Sequence, residues 1–317
     1  MRFRTIGEDV MVAYVDRLRA EGRVCNQSLI YVSVFDNWCQ ERFPGATSLT
    51  QEMVDDWCAP RPTERPNSTR TRVYPVVAVL SYMRERGLTD VRDPAMPRCE
   101  RSTYVPHAFT HDELDRFFAA CDRYGERCSK RRAGRNLALT VPVFFRLLYS
   151  SGMRTTEARL LAAGDVDLAE GVVHITRSKG SDRHIVALHP TMLDAMRRYD
   201  GAIGSLYHGR EYFFPVAERG GRSTYWVWKT FREVWDSVND FHATPYQLRH
   251  NYAVENINSW GGDCLESWDR LVYLSRSMGH SHLESTRRYY SIVPALADVI
   301  DDLAASAGDD VIPEVAR

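Results

Sequence analysis

Residues 171–190 read GVVHITRSKGSDRHIVALHP, and this stretch decides the fold class. Two β-rich runs, Val172 to Arg177 and Arg183 to Leu188, flank the turn-forming SKGSD and predict a hairpin. The surrounding sequence has helical spacing instead. Thr110 precedes HDELDRFFAACD with Glu113 at the capping-box position, so a capped helix opens there. More helices are expected at Leu137 to Ser150, Thr155 to Ala162, Pro190 to Tyr199 and Trp226 to Val238. The expectation is a mainly α protein with a small antiparallel β-sheet inside one domain.

Toward the N-terminus, apolar residues at three- and four-residue steps predict helices over Glu8 to Glu21 and Asn26 to Arg42. Ser48, with Gln51 three positions on, predicts a capped short helix through Trp57, and APRPTERP then breaks the chain. A fourth helix is expected from Ser68 to Arg86. DPAMPRCERSTYVP carries three prolines and no amphipathic period, as an extended linker does. The expected organisation is a helical domain over 1–92, a linker over 93–106, a second domain over 107–300 and a tail over 301–317.

A chain of 317 residues and 36.4 kDa, 44% hydrophobic and 26% charged, is long enough for two domains with real cores. No stretch approaches the roughly 18 apolar residues of a membrane span. MRFRTIGEDV lacks the apolar core of a signal peptide, so a cytoplasmic location is expected. The seven cysteines are odd in number, scattered and never spaced CxxC, which points to reduced thiols and away from zinc. A net charge of −1 excludes indiscriminate coating of nucleic acid, because nonspecific affinity comes mainly from neutralising phosphates. Any DNA contact must be local. Of the 41 basic residues only Lys130, Lys179 and Lys229 are lysines, a bias that genomic base composition also produces.

Four islands of the second domain carry the candidate chemistry: SGMRTTEARLLAAGDVD, the hairpin, TPYQLRHNYAVE and MGHSHLESTRRYYS. Their order and spacing resemble the catalytic domain of the tyrosine recombinase (phage integrase) family over about residues 107 to 300. The first domain looks like that family's helical core-binding (SAM-like) domain.

The resemblance places the family's first arginine on Arg154, in GMRTTE, with Glu157 on the next turn. Alone, Arg154 reads as a helix-start arginine paired with Glu157. Within the set, a guanidinium fork suits the charge that phosphoryl transfer builds on nonbridging oxygens. Lys179, at the hairpin tip, falls where the family has a lysine thought to protonate the leaving 5′ oxygen. Arg249 matches the second arginine and is followed by His250. Three positions earlier the family usually has histidine or lysine, and this chain has Tyr246, which can donate a hydrogen bond but carries no positive charge. His280, in MGH, matches a phosphate-binding histidine. The nucleophile falls on Tyr289, ten residues after Gly279, with Thr286 before it and Tyr290 beside it as a second candidate. Arg287 and Arg288 suggest a surface facing phosphate.

The resemblance implies cleavage and rejoining of DNA through a 3′-phosphotyrosyl link, without metal or other cofactor. Double-stranded DNA and a tetrameric synapse of like subunits are the implied partners, at the nucleoid. In the first domain Arg65, Arg70 and Arg72 stand near a helix N-terminus, where free amides favour phosphate. Residues 291–308 predict an amphipathic helix, which in the family docks on a neighbouring subunit. Two other readings share the pattern: a type IB topoisomerase-like enzyme, and a catalytically silent DNA-binding protein.

Overall fold

A computed structural model of the chain describes residues 3–23, 26–100, 107–128, 130–176, 183–260, 264–280, 283–287 and 289. It divides into two units, Met1–Tyr104 and Val105–Arg317.

Among the described residues the first unit is a bundle of four helices: α1 (Glu8–Ala20), α2 (Asn26–Arg42), α3 (Gln51–Cys58) and α4 (Pro66–Arg84). Their apolar faces close on Phe35, Val54, Trp57, Val73 and Leu80, all buried. Each such side chain stabilises the bundle by about 1.5–3 kcal/mol relative to leaving it in water. The buried Asp36 carboxylate accepts hydrogen bonds from the backbone of Arg4, Thr5 and Ile6, fastening the N-terminal segment. Two helix starts differ from expectation. The cap of α3 is Thr50, whose hydroxyl accepts from Met53 N–H, because Thr50 rather than Ser48 holds the extended conformation directly before the helix. α4 begins at Pro66, where the missing N–H costs nothing.

The second unit contains α5 (His111–Asp122), α6 (Arg132–Ser151), α7 (Thr155–Arg159), α8 (Pro190–Leu206), α9 (Thr224–Trp235), α10 (Tyr246–Asn258), α11 (Cys264–Ser277) and α12 (Glu284–Arg287). The Thr110–Glu113 capping box opens α5 as the sequence predicts. Phe117, Phe144, Phe145, Phe231 and Trp235 form an aromatic core where α5, α6 and α9 meet. A smaller apolar cluster joins Ala253, Ile257, Leu274, Met278 and Tyr289.

The hairpin is present as β2 (Val172–Ile175) and β3 (His184–Ala187), antiparallel, with Val172 opposite Ala187 and Ile175 opposite His184. A two-residue strand, β1 (Val166–Asp167), adds a third antiparallel member. Val173, Ile175 and Val186 face the core, and the alternate residues face outward. The hairpin tip, with Lys179, lies outside the described residues, as do Tyr290 and the predicted C-terminal helix. Among the described residues no helix is long and apolar enough to cross a membrane.

Candidate active site

Two glycine turns build the backbone of the site. Gly152 ends α6 with φ 62°, and Gly279 follows α11 with φ 63°, the left-handed conformation that glycine adopts without penalty. Their carbonyls and that of Met278 face two arginines. Arg249 donates through Nη1 to Gly152 O at 2.6 Å and through Nη2 to Met278 O at 2.8 Å, while Arg154 donates to Gly279 O at 2.5 Å. A Cβ on Gly152 would overlap the Tyr252 ring, and one on Gly279 would come within 2.5 Å of the His184 ring. Gly152→Ala is therefore expected to lower stability by roughly 2–5 kcal/mol, from left-handed strain and overpacking together. A urea melt measures the change, and an unshifted midpoint would refute the fit argued for this turn.

Arg154 caps α7 through its N–H to Glu157 Oε2 at 2.7 Å, and its guanidinium meets Glu157 Oε1 at the same distance. Glu157 is buried, so it offsets much of the charge on Arg154. The helix-start pair read from sequence is therefore real, and the same arginine also reaches the Gly279 turn.

Arg249 differs in kind. It is 2% exposed, and its hydrogen-bond acceptors are two backbone carbonyls and a neutral imidazole. Its buried Nε has no partner among the described residues. Burial pushes the guanidinium pKa below its ordinary value, and neighbouring Arg154 adds to the shift. This is a buried cation in need of an anion.

His280 sits between these groups. Its Nε2 lies 2.8 Å from Arg249 Nη2, and because a guanidinium only donates, Nε2 must accept. The proton of the neutral ring is then on Nδ1, donated to Thr286 Oγ1 at 2.6 Å. Tyr289 N–H donates to Thr286 O at 3.0 Å, which ties the tyrosine to the same network.

Tyr289 is 6% exposed, not on an open surface as its arginine neighbours suggested. Its ring is covered by Ala253 and Ile257 of α10 and by Leu274 and Met278. The hydroxyl lies 2.8 Å from His250 Nδ1. Tyr246, at the first position of α10, is 43% exposed and packs edge-on against His250 with centroids 5.0 Å apart. Among the described residues no three His, Cys, Asp or Glu side chains are grouped to hold a metal ion.

Burial pushes the pKa of both His250 and His280 down to about 4, with Arg249 the next cause for each. In the unfolded chain they titrate near 6.5. Between those values the unfolded state binds more protons, so stability rises with pH across that window and is lost as pH falls through it. The melting temperature is expected to drop from pH 7 toward pH 4, and less steeply in His250→Gln/His280→Gln. Parallel curves for the two proteins would refute the assignment.

In the first unit, Arg65 is exposed at the N-cap of α4, and Arg70 is half-buried with Nη1 donating to Pro97 O at 2.9 Å. Arg72 requires a correction. It is 3% exposed, its guanidinium donates twice to Glu64 and also to the carbonyls of Trp57 and Ala59, and it serves the bundle rather than a DNA surface. It lies nearly two turns into α4, on the face turned inward.

Sequence reasoning named His250 without giving it a role and passed over His184, which packs on Gly279 and stands 3.9 Å from Glu157. No spacing rule pairs residues 250 and 289. Their contact depends on how α10 lies against the chain after α11.

Two arginines, two neutral imidazoles and a phenol are gathered here by hydrogen bonds, an arrangement whose chemistry suits an oxyanion and an attacking oxygen. The model of the phage integrase family matches residues 107–294, more than half of the chain, and the chain belongs to that family of tyrosine-type recombinases, enzymes that cut and rejoin DNA at specific sites. It is similar to the tyrosine recombinase XerD of Xanthomonas campestris pv. campestris, 27% identical over 310 residues, covering 90% of this chain and 88% of the relative. The tyrosine recombinase XerA of Thermococcus kodakarensis is 27% identical over 232 residues, 71% of this chain and 72% of that protein. Among solved structures, XerH bound to a palindromic difH substrate in a post-cleavage complex has TM-score 0.60 at 13% identity, covering 88% of this chain and 79% of XerH. A lambda integrase tetramer bound to a Holliday junction has TM-score 0.58 at 15% identity, covering 88% and 76%.

Proposed function

We propose that Arg154, Arg249, His280 and Lys179 hold one scissile phosphate of duplex DNA while Tyr289 attacks it in line. The products are a 3′-phosphotyrosine and a free 5′ hydroxyl, and the 5′ hydroxyl of a partner strand reverses the step. Because the phosphotyrosyl bond conserves the energy of the broken phosphodiester, rejoining draws on no nucleotide.

The observation that carries this reading is Arg249, a buried cation whose acceptors among the described residues are all neutral and whose Nε has no partner among them. A phosphate supplies the missing charge and acceptors. Arg65 and Arg70 are offered as backbone contacts from the first unit, and Tyr246 as an exposed hydrogen-bond donor to the phosphate. Work on DNA in the nucleoid by a tetramer of this chain follows from the same reading. The lambda integrase neighbour, a tetramer on a Holliday junction, supports that assembly.

Covalent trapping is the test. The chain is incubated with a pool of nicked duplexes, randomised around the nick so that the cleaved end is lost, and denaturation-resistant adducts are isolated and mapped by mass spectrometry. An adduct on Tyr289 is expected. Absence of any adduct would favour a silent DNA-binding protein, and relaxation of supercoils by monomers would favour topoisomerase activity.

A further inference from the structure

His250 is placed by the same helical turn that places Arg249, so the partner of the phenol and the buried cation move as one piece. α10 is fixed by Leu248, Ala253 and Ile257, each fully buried. From that support His250 Nδ1 reaches the Tyr289 hydroxyl at 2.8 Å, with ring centroids 5.5 Å apart and planes inclined by 54°.

Among the described residues, the other candidates of the site, His280 and Tyr246, are engaged elsewhere. His280 uses Nε2 to accept from Arg249 and Nδ1 to hold Thr286. Tyr246 stands where the resemblance expects an imidazole or an ammonium, and it packs instead on the outer side of His250. One helical turn later, on the same face of α10, His250 supplies the imidazole that position 246 lacks. Among the described residues, the rings of Tyr246 and Tyr289 pack on His250, which is buried and feels the cation of Arg249. That surrounding keeps the ring neutral, as an acceptor of protons must be.

We propose that His250 is a further catalytic residue: its Nδ1 takes the phenol proton of Tyr289 as the phenol oxygen attacks phosphorus, and returns it when the phosphotyrosyl bond is broken. This rests on Tyr289 being the nucleophile, as proposed above. In the forward step the Tyr289 oxygen–phosphorus bond forms, the bond from phosphorus to the 5′ oxygen breaks, and that oxygen leaves as a hydroxyl with a proton from the Lys179 ammonium. The Tyr289 proton goes to His250, which becomes an imidazolium. In the reverse step the incoming 5′ hydroxyl gives its proton to the Lys179 amine, and the departing phenolate recovers its own from His250. Each cycle restores both groups. The negative phosphate that must be present offsets Arg249 and favours the transient imidazolium.

The test uses the full chain and a nicked duplex recovered from the randomised pool by wild-type trapping. His250→Ala is expected to slow single-turnover adduct formation by about 10²–10⁴-fold, the usual contribution of a positioned base, with DNA affinity unchanged. Added imidazole, a small acceptor able to enter the vacated space, is expected to restore at least tenfold of the loss. His250→Asn keeps an acceptor near the place of Nδ1 but cannot carry a proton; it is expected to fold with the wild-type melting temperature and stay about 10²-fold slow or worse. Wild-type rates in either variant overturn the proposal, and so does an alanine variant that binds DNA but does not respond to imidazole. If the alanine variant does not fold, the asparagine variant decides alone by the same rate criterion. Should wild type itself give no adduct at Tyr289, the nucleophile assignment falls first and His250 with it; a wild-type adduct with unaffected variants removes His250 only.

Discussion

Tyr289→Phe is expected to form no covalent adduct while binding the same duplexes as tightly as the parent chain. The substitution removes one oxygen, the only atom of the side chain that can bond to phosphorus. The ring stays, and with it the packing on Ala253, Ile257, Leu274 and Met278. Among the described residues the hydrogen bond removed is the one to His250, about 1 kcal/mol, too little to unfold either unit. Tyr290→Phe is expected to trap DNA at the parental rate, since the ten-residue step from Gly279 falls on 289. A denaturing gel of labelled duplex reads both variants, and an adduct that persists in Tyr289→Phe but vanishes in Tyr290→Phe would move the nucleophile by one residue.

What the sequence disclosed and what it hid divide along a physical line. Local signals were readable: the capping box at Thr110 and Glu113, the two hairpin strands and the first-unit helices follow from periodicity and side-chain chemistry within a few residues. The ordered motif set also placed Arg154, Arg249, His280 and Tyr289 on the same list; the structure joins the first three around the Gly152 and Gly279 turns and ties Tyr289 to His280 through Thr286. Features that depend on tertiary placement escaped. α11 raised no expectation, and β1 is two residues long, held by pairing with β2 rather than by any pattern of its own. Arg72 and Arg65 look alike as letters beside a helix start, yet one points into the bundle and the other to solvent, because the turn of α4 and the position of Glu64 decide it. The exposure expected of Tyr289 from Arg287 and Arg288 failed for the same reason: neighbours in sequence do not report which helices cover a ring.

Arg249→Met is expected to separate stability from activity. For a base, a pKa lowered on folding means the charged form is less comfortable in the native protein than in water, and Arg249 is shifted in that direction chiefly by burial. Removing the charge relieves that cost. Against it, Gly152 O, Met278 O and His280 Nε2 lose their donor, and orphaned buried acceptors cost roughly 1–3 kcal/mol each. Methionine fills much of the vacated volume with a flexible apolar chain, as in other cases where apolar replacement of buried ions is close to neutral. The two effects oppose each other, and the net change is expected to stay within about 2 kcal/mol. Nothing opposes the loss in chemistry: the variant has no fork to hold nonbridging oxygens as charge builds, and adduct formation is expected to fall by about 10³–10⁵-fold, the range for a catalytic arginine in phosphoryl transfer. Arg249→Lys keeps a charge but not the fork, so it should recover only part of the rate. DNA affinity should weaken with a salt dependence shallower by about one phosphate contact. Thermal melts, trapping kinetics and a salt titration on one preparation read all three. Cleavage within tenfold of wild type would remove Arg249 from the phosphate site, whereas inactivity accompanied by a collapsed melting temperature would make it a structural cation instead.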